Sequence, residues 1–309
     1  MQIDFVTFTV DTMKHPTFSI VPEQTLFATL PPHLRQRFEV ALELMHEKLY
    51  ESLSWEMVAE KSAISPHHFH RQFSELFQET PGHYLSRIRL QQAVHLLMAN
   101  SQTKVIDIAH SSGYSSSQAL AKVLKRELGV TANEIRLASA NATPDQICEM
   151  LDKLSHPRCG DSFEKHLAMS MPTELVWYVE RGVKVIEVQN FDWDTAYEKL
   201  GDQSKRLLTI TPIKGIDREW RNASMTVADW GAPTYQHNGT IKEGYYLCCE
   251  VLVLTDVAYI TAIKSLFEQA NKLKYQVDES RDLIEMMLNV HHEGKKGATF
   301  SFQLPVKIV

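Results

Sequence analysis

The chain is poor in cysteine: Cys148, Cys159, Cys248 and Cys249 are the only four among 309 residues. No two of them form a C-x-x-C pair, and so few at such irregular spacing make no disulfide framework for a chain this long. The cytoplasm, a reducing compartment, is the expected location. No apolar run approaches the roughly 20 residues of a membrane-spanning helix, so no membrane partner is expected. The opening MQIDFVTFTVDTMKHP lacks a basic stretch before an apolar core and a small-residue cleavage site, which argues against secretion. A nucleotide-binding glycine pattern, a G-x-S-x-G elbow and an H-E-x-x-H pair are missing as well. No cofactor, metal or catalytic residue is therefore assigned. An excess of positive charge is lacking too, with 32 Lys+Arg against 38 Asp+Glu. A net charge of −6 and a pI near 6.2 exclude a protein that coats nucleic acid by bulk electrostatics.

What is present is the ordinary balance of a globular protein, 44% hydrophobic and 23% charged, in a chain long enough for about two domains. The charge is uneven. Basic and acidic residues nearly cancel over residues 33–138, and the acidic excess lies mainly after residue 139. Two parts with different partners are implied.

Residues 1–32 read as an arm, with strand-like alternation at Gln2–Val10 and a stop at Pro31-Pro32. From Leu34 the apolar positions Phe38, Ala41, Leu42 and Met45 recur at helical spacing. Short helices follow to about Leu137, which makes residues 33–138 an all-α domain. Residues 139–162 read as a linker with one short helix. Ala138–Thr143 is linker-like, then Thr143 caps a helix with Pro144 first and Gln146 able to return the bond, ending near Leu154. Ser155–Ser162 is turn chemistry and marks the boundary. Residues 163–309 read as an α+β domain. Strands Leu175–Val188 and Gly244–Leu254 each precede an amphipathic helix, Trp193–Leu207 and Val257–Leu273. Two strands follow each helix: Ile213–Ile216 with Ala223–Asp229, and Leu283–Val290 with Ala298–Val309. The echo of EVQNFDWDTAYEKL in EVLVLTDVAYITAIKSL marks a duplicated βαββ unit with a cleft between the repeats.

Within the helical domain the same plan occurs twice. In WEMVAEKSAISPHHFHRQFSELF a short helix carries Met57, Val58 and Ala59, a turn falls at Ala63-Ile64, and Ser65 caps a helix opened by Pro66. Phe69, Phe73 and Leu76 face inward there, which leaves His67, His68, His70, Arg71 and Gln72 outside. In VIDIAHSSGYSSSQALAKVLKREL, Gly113 supplies the turn and Ser116 or Ser117 caps the second helix. Leu120, Val123, Leu124 and Leu128 pack, leaving Gln118, Ala121, Lys122 and Lys125 free. A polar-faced helix after a tight turn is the geometry that lays a helix in the major groove. Pro81–Ala99 joins the units as one helix of roughly 27 Å, near the roughly 34 Å groove repeat of DNA. His67 and His70 lie one turn apart, but no third residue is spaced to complete a metal site.

These segments, with the YLSRIRLQQA connector and the SSGY turn, resemble the AraC-type DNA-binding domain over about Arg35–Leu137. The resemblance implies double-stranded DNA and RNA polymerase as partners. It implies base contacts from His67, His70 and Arg71 in the first unit and from Ser117, Gln118, Ala121 and Lys122 in the second. Arg71 stands out because arginine forks to guanine O6 and N7. The second unit departs from the family, with Lys122 where Arg is usual and Leu120 and Leu124 where Phe is common. It is therefore expected to grip phosphates through Lys122 and Lys125.

The α+β half carries one carboxylate, Glu285, inside the apolar run DLIEMMLNV, and many aromatics near strand ends. A carboxylate among apolar neighbours needs a positive partner or stays protonated, and aromatic walls favour a cationic, partly apolar ligand. Tyr246, Trp177 and Trp230 are the candidate walls, whereas Trp193 and Tyr197 read as core. The plainer reading of Glu285 is a solvated residue on an edge strand. Over about Glu174–Val309 this half is similar to GyrI-like effector-binding domains, through the duplicated units, IKEGYYLCCEV, the Glu285 run and the closing FSFQLPV. Asp217 and Arg221 fall near positions where that family carries charge. The resemblance implies a small-molecule effector with Glu285 as its counter-charge. Two rival readings stand beside it: a small-molecule hydrolase with Glu285 as general base, and a ligand-independent protein-contact module. A DNA-repair methyl acceptor would need a Pro-Cys-His-Arg motif, which Cys159 in HPRCGD does not reproduce.

Overall fold

The computed structural model describes residues 17–47, 49–51, 53–99, 102–158, 161–188, 191–214, 216, 225–291 and 297–308. The alternation at Gln2–Val10, Cys159, Asp217 and Arg221 lie outside these. In chain order the helical half comprises β1 (Phe18–Ser19), α1 (Pro22–Phe27), α2 (Pro32–Glu47), α3 (Trp55–Lys61), α4 (Pro66–Phe77) and α5 (Pro81–Ala99). It continues with α6 (Val105–Ser111), α7 (Ser117–Glu127), α8 (Ala132–Asn141), α9 (Pro144–Asp152) and α10 (Phe163–Ala168). The other half contains β2 (Glu174–Tyr178), β3 (Arg181–Ile186), α11 (Trp193–Leu200), β4 (Leu207–Pro212), β5 (Thr226–Asp229) and β6 (Gly239–Ile241). It closes with β7 (Gly244–Val253), α12 (Asp256–Lys272), β8 (Gln276–Val277), β9 (Asp282–His291) and β10 (Gly297–Lys307).

The helix expected from Leu34 buries Leu34, Phe38, Ala41, Leu42 and Met45. Two separate cores fill the helical half. Phe38, Phe69, Phe73 and Tyr84 centre the first, and Leu90, Leu97, Ile108, Leu120 and Leu124 the second. Truncating any of these phenylalanines to Ala would cost about 3–5 kcal/mol. Where a linker was expected at Ala138–Thr143, α8 instead runs on to Asn141, and Thr143 with Gln146 forms the capping box of α9.

The sheet half is built on one sheet in the order β1-β7-β10-β9-β4-β5-β3-β6, with β2 on β7 and β8 on β10. Apart from the parallel β1–β7 pair, its pairings are antiparallel. The helix expected to reach Leu207 ends at Leu200; Gly201, at φ 55, breaks it, a 3-10 turn follows and β4 starts at Leu207. The strand expected at Ile213–Ile216 is therefore displaced to residues 207–212. The single strand expected over Leu175–Val188 is divided into β2 and β3.

The arm straps the halves together. Phe18 and Ser19 extend the sheet beside Val251 and Leu252, and α1 packs Phe27 against Phe38 and Phe77. Glu23 of α1 enters a buried polar chain. His156 Nε2 lies 2.8 Å from Glu23 Oε1, His156 Nδ1 2.7 Å from Glu164 Oε1, and the Tyr84 hydroxyl donates to Glu23 Oε1 at 2.7 Å. Burial alone would lower the His156 pKa, but Glu23 and Glu164 more than offset it and hold it up at about 9. Ser155–Ser162 thus contains a buried ionic anchor that its turn-like composition conceals.

Candidate functional site

The first helix-turn-helix pair is set by local signals. Ser54 Oγ accepts from Met57 N at 3.4 Å to open α3, and Ala63 takes a left-handed φ of 55 in the turn. Ser65 occupies the N-cap position of α4 without a side-chain cap bond, so Pro66 at the first turn starts that helix unaided. The inward residues are Phe69, Phe73 and Phe77; Leu76, expected among them, is only half-buried. Phe77 stacks on Phe73 with centroids 4.3 Å apart. His67 and Arg71 are left exposed, and His70 is half-buried edge-on to Trp55 at 5.2 Å.

In the second pair, Ser116 Oγ accepts from Ala119 N at 3.1 Å, and Gly113 turns the chain at φ 78. Leu120, Leu124 and Leu128 are buried; Gln118, Ala121, Lys122 and Lys125 are exposed, with Ser117 half-buried. Lys125 Nζ also donates to the Gly129 carbonyl at 2.7 Å, which closes the end of α7. The two units are keyed to each other. A Cβ on Gly113 would lie 1.9 Å from the Leu49 carbonyl oxygen, and Arg89 of α5 donates to the carbonyls of Glu51 and Leu53 at 3.2 and 3.1 Å. Both polar faces are therefore presented by one interlocked frame.

A second feature lies between the halves: a cleft of about 1060 Å³ lined by α5 on one side and by α11, α12 and the sheet on the other. Glu285 lies in it. β9 is an interior strand between β10 and β4, so Glu285 is no solvated edge residue. Its carboxylate accepts from the Tyr259 hydroxyl. Burial raises the Glu285 pKa, while the Tyr259 bond opposes that rise. Tyr259 and Trp193 both stand edge-on to Phe300, with centroids 4.9 and 5.6 Å away. Trp193 and Tyr197, expected as core, do pack against the apolar core of the sheet half, and from its partly buried margin they also line the cleft.

The aromatics expected as walls lie elsewhere. Tyr246 is 1% exposed in the apolar cluster with Cys248, Ile284 and Met286. Leu283 and Met287, which share Glu285's strand parity, belong to the other main cluster of the sheet half. Trp230 packs against the Tyr246 cluster and donates its indole N–H to the Lys205 carbonyl at 3.2 Å. Trp177 is 51% exposed and packs on Tyr245. Side-chain parity is the physical reason for the Tyr246 correction: Glu285 pairs with Phe302, and Phe302 with Cys249, three residues from Tyr246.

Sequence reasoning missed the polar mouth of this cleft. His95 of α5 has Nδ1 2.9 Å from Asp256 Oδ2 and Nε2 3.5 Å from Asp194 Oδ2. The hydrogen bond to Asp256 is the largest influence on His95 and lifts its pKa to about 9. Ligand atoms of His95, Asp192 and Asp194 come within 4.8 Å of one another, spacing that a metal could use. Within the protein the set is already engaged, since Asp192 also accepts from Thr195 N at 2.8 Å. Asp192 and Thr255 cap α11 and α12, and that cap chemistry was the one local signal for the mouth.

Comparison with known proteins bears chiefly on the helical half. A family model described as a helix-turn-helix domain matches residues 58–138. The HTH-type transcriptional activator RhaS of Escherichia coli O139:H28 is 33% identical over 100 residues, which are 32% of this chain and 36% of that protein. The chain thus spans about a third of the length of the curated relatives it matches. Among solved structures, the DNA-binding domain of AdpA in complex with a target DNA covers 33% of this chain and 91% of its own, at 30% identity and TM-score 0.31. SAV2435 bound to tetraphenylphosphonium covers 44% of this chain and 94% of its own, at 15% identity and TM-score 0.31. Among the described residues no helix is long and apolar enough to cross a membrane. Residues 58–138 thus match a helix-turn-helix domain, and the curated relatives they resemble are HTH-type transcriptional activators.

Proposed function

We propose that this chain is a sequence-specific transcriptional regulator that binds double-stranded DNA through α4 and α7 and takes a small cationic, partly apolar effector in its sheet half. The observation that carries the DNA reading is the pair of exposed polar helix faces on one keyed frame, each helix following a tight turn. His67, His70 and Arg71 read bases from the first groove, with Ser117, Gln118, Ala121, Lys122 and Lys125 on the second. RNA polymerase is the further partner in this reading, and the cytoplasm its setting. As a test, Arg71→Ala should cost roughly 1–3 kcal/mol on a selected site and leave nonspecific DNA unaffected. Equal losses on both DNAs would remove Arg71 from base reading.

The sheet half fits a duplicated βαββ unit of the GyrI-like kind. Its central strand order, β7-β10-β9 and then β4-β5-β3, has the symmetry of two such units meeting at β9 and β4. The cleft supports an effector role because a carboxylate lies among Trp193, Tyr259 and Phe300, a set suited to charge and cation–π attraction. Calorimetric titration with tetraphenylphosphonium should show binding that Glu285→Gln weakens. Unchanged affinity would exclude the carboxylate as counter-charge.

A further inference from the structure

The cleft's acidic mouth is closed by a residue from the opposite half. Asp256 is the first residue of α12 and Asp194 the second of α11, so both helix starts direct carboxylates toward the same point. His95 meets them there from α5, the helix that joins the two helix-turn-helix units. The mouth is continuous with the Glu285 pocket. Trp193 lies between Asp192 and Asp194 in sequence and contributes its ring to the aromatic wall. Tyr259, one turn beyond Asp256, holds Glu285. Asp192, Asp194, Asp256 and Glu285 therefore line one cleft, with Lys264 and Glu268 of α12 and Asp145 of α9 along its margin.

We propose that His95 is the resident competitor for this mouth: a cationic ligand seated against Glu285 and the aromatic wall displaces the His95 side chain from Asp194 and Asp256. The proposal rests on the cation reading of the Glu285 cleft and adds the route by which occupancy reaches the DNA-reading frame. The physical reason is charge economy in a half-enclosed space. With His95 protonated by its carboxylate neighbours, it offsets part of the mouth's negative charge, and a second cation in the cleft is attracted less as long as His95 stays. If His95 leaves, the ligand inherits its carboxylates, and the tether between α5 and the sheet half is exchanged for a contact within the sheet half. Removal of the competing charge must then strengthen ligand binding, by linkage.

Tetraphenylphosphonium titrated calorimetrically into the full chain and into His95→Gln, His95→Arg and Glu285→Gln variants at neutral pH tests this. His95→Gln is expected to bind the probe about tenfold tighter, the size of an ordinary coupling between sites. His95→Arg, which keeps a permanent cation, binds no tighter than wild type, and Glu285→Gln binds more weakly. If His95→Gln matches wild type, or both His95 variants tighten together, competition is overturned while the Glu285 reading stands. An unweakened Glu285→Gln removes Glu285 from the site and the premise with it. Absence of binding to every chain overturns both.

Discussion

The Tyr259 hydroxyl donates to the Glu285 carboxylate, joining α12 to the interior strand β9 inside the cleft. The bond favours the charged carboxylate, whereas burial, the larger influence, favours the neutral acid. Cation binding should therefore grow as pH rises through the Glu285 titration. In Tyr259→Phe the opposing bond is lost, and the curve of tetraphenylphosphonium affinity against pH is expected to move to higher pH. In Glu285→Gln that dependence disappears. Superimposed wild-type and Tyr259→Phe curves would separate Tyr259 from the carboxylate's charge.

Gly113 holds the second unit against the first. Its left-handed φ of 78 disfavours any side chain, and an added Cβ would meet the Leu49 carbonyl oxygen at 1.9 Å. Gly113→Ala is expected to lose at least about 1–3 kcal/mol of stability from backbone strain, with the steric clash adding to it. Chemical denaturation of the full chain measures this. A loss confined to a few tenths would mean that the turn relaxes without moving Leu49.

The buried pair of Glu23 with His156 sets a pH dependence whose sign is fixed. The His156 pKa is raised in the folded chain, so its contribution is complete below its unfolded value near 6.5 and fades as pH climbs through about 9. His156→Gln should destabilise strongly at neutral pH, since it leaves Glu23 and Glu164 buried without their cation. The gap between wild-type and variant melting temperatures should narrow as pH rises past that point. A gap of constant size across the range would show that His156 acts there as a neutral group.

Much of this arrangement was legible in the sequence, and the exceptions have physical causes. Helical periodicity located α2 and α12 because one face of each is apolar throughout, and α5 because Tyr84, Leu85 and Ile88 enter one core while Leu90, Ala93, Val94 and Leu97 enter the other. The same signal misled at Leu207-Leu208, which extends the apolar spacing of α11 although the chain has already turned at Gly201 and become β4. Glu285 was identifiable as an acid in an apolar run, yet its partner Tyr259 was not. Only the strand–helix–strand topology brings residues 259 and 285 together, and nothing local pairs them. Tyr246 had suitable chemistry, but in a strand a shift of one residue reverses the face, and the register sets it apart from Glu285. The two-residue strand β1 is too short for any alternation to announce it.

Lys122 offers a test of division of labour between the two helices. Exposed on α7 and a single charge in form, it is expected to grip phosphate. Lys122→Ala should weaken binding to selected and nonspecific DNA alike and lower the salt slope of log affinity by about one. A loss on the selected site alone would reassign Lys122 to base reading.

The most direct test of the central claim is a footprint of the full chain on DNA chosen by repeated selection from random sequence. A single chain carrying two keyed reading helices should protect two major-groove windows on one face of the duplex, about 10 base pairs apart. Arg71→Ala should open one window and Lys122→Ala weaken the other. A single protected window unchanged by both substitutions, or no selected sequence at all, would contradict the account.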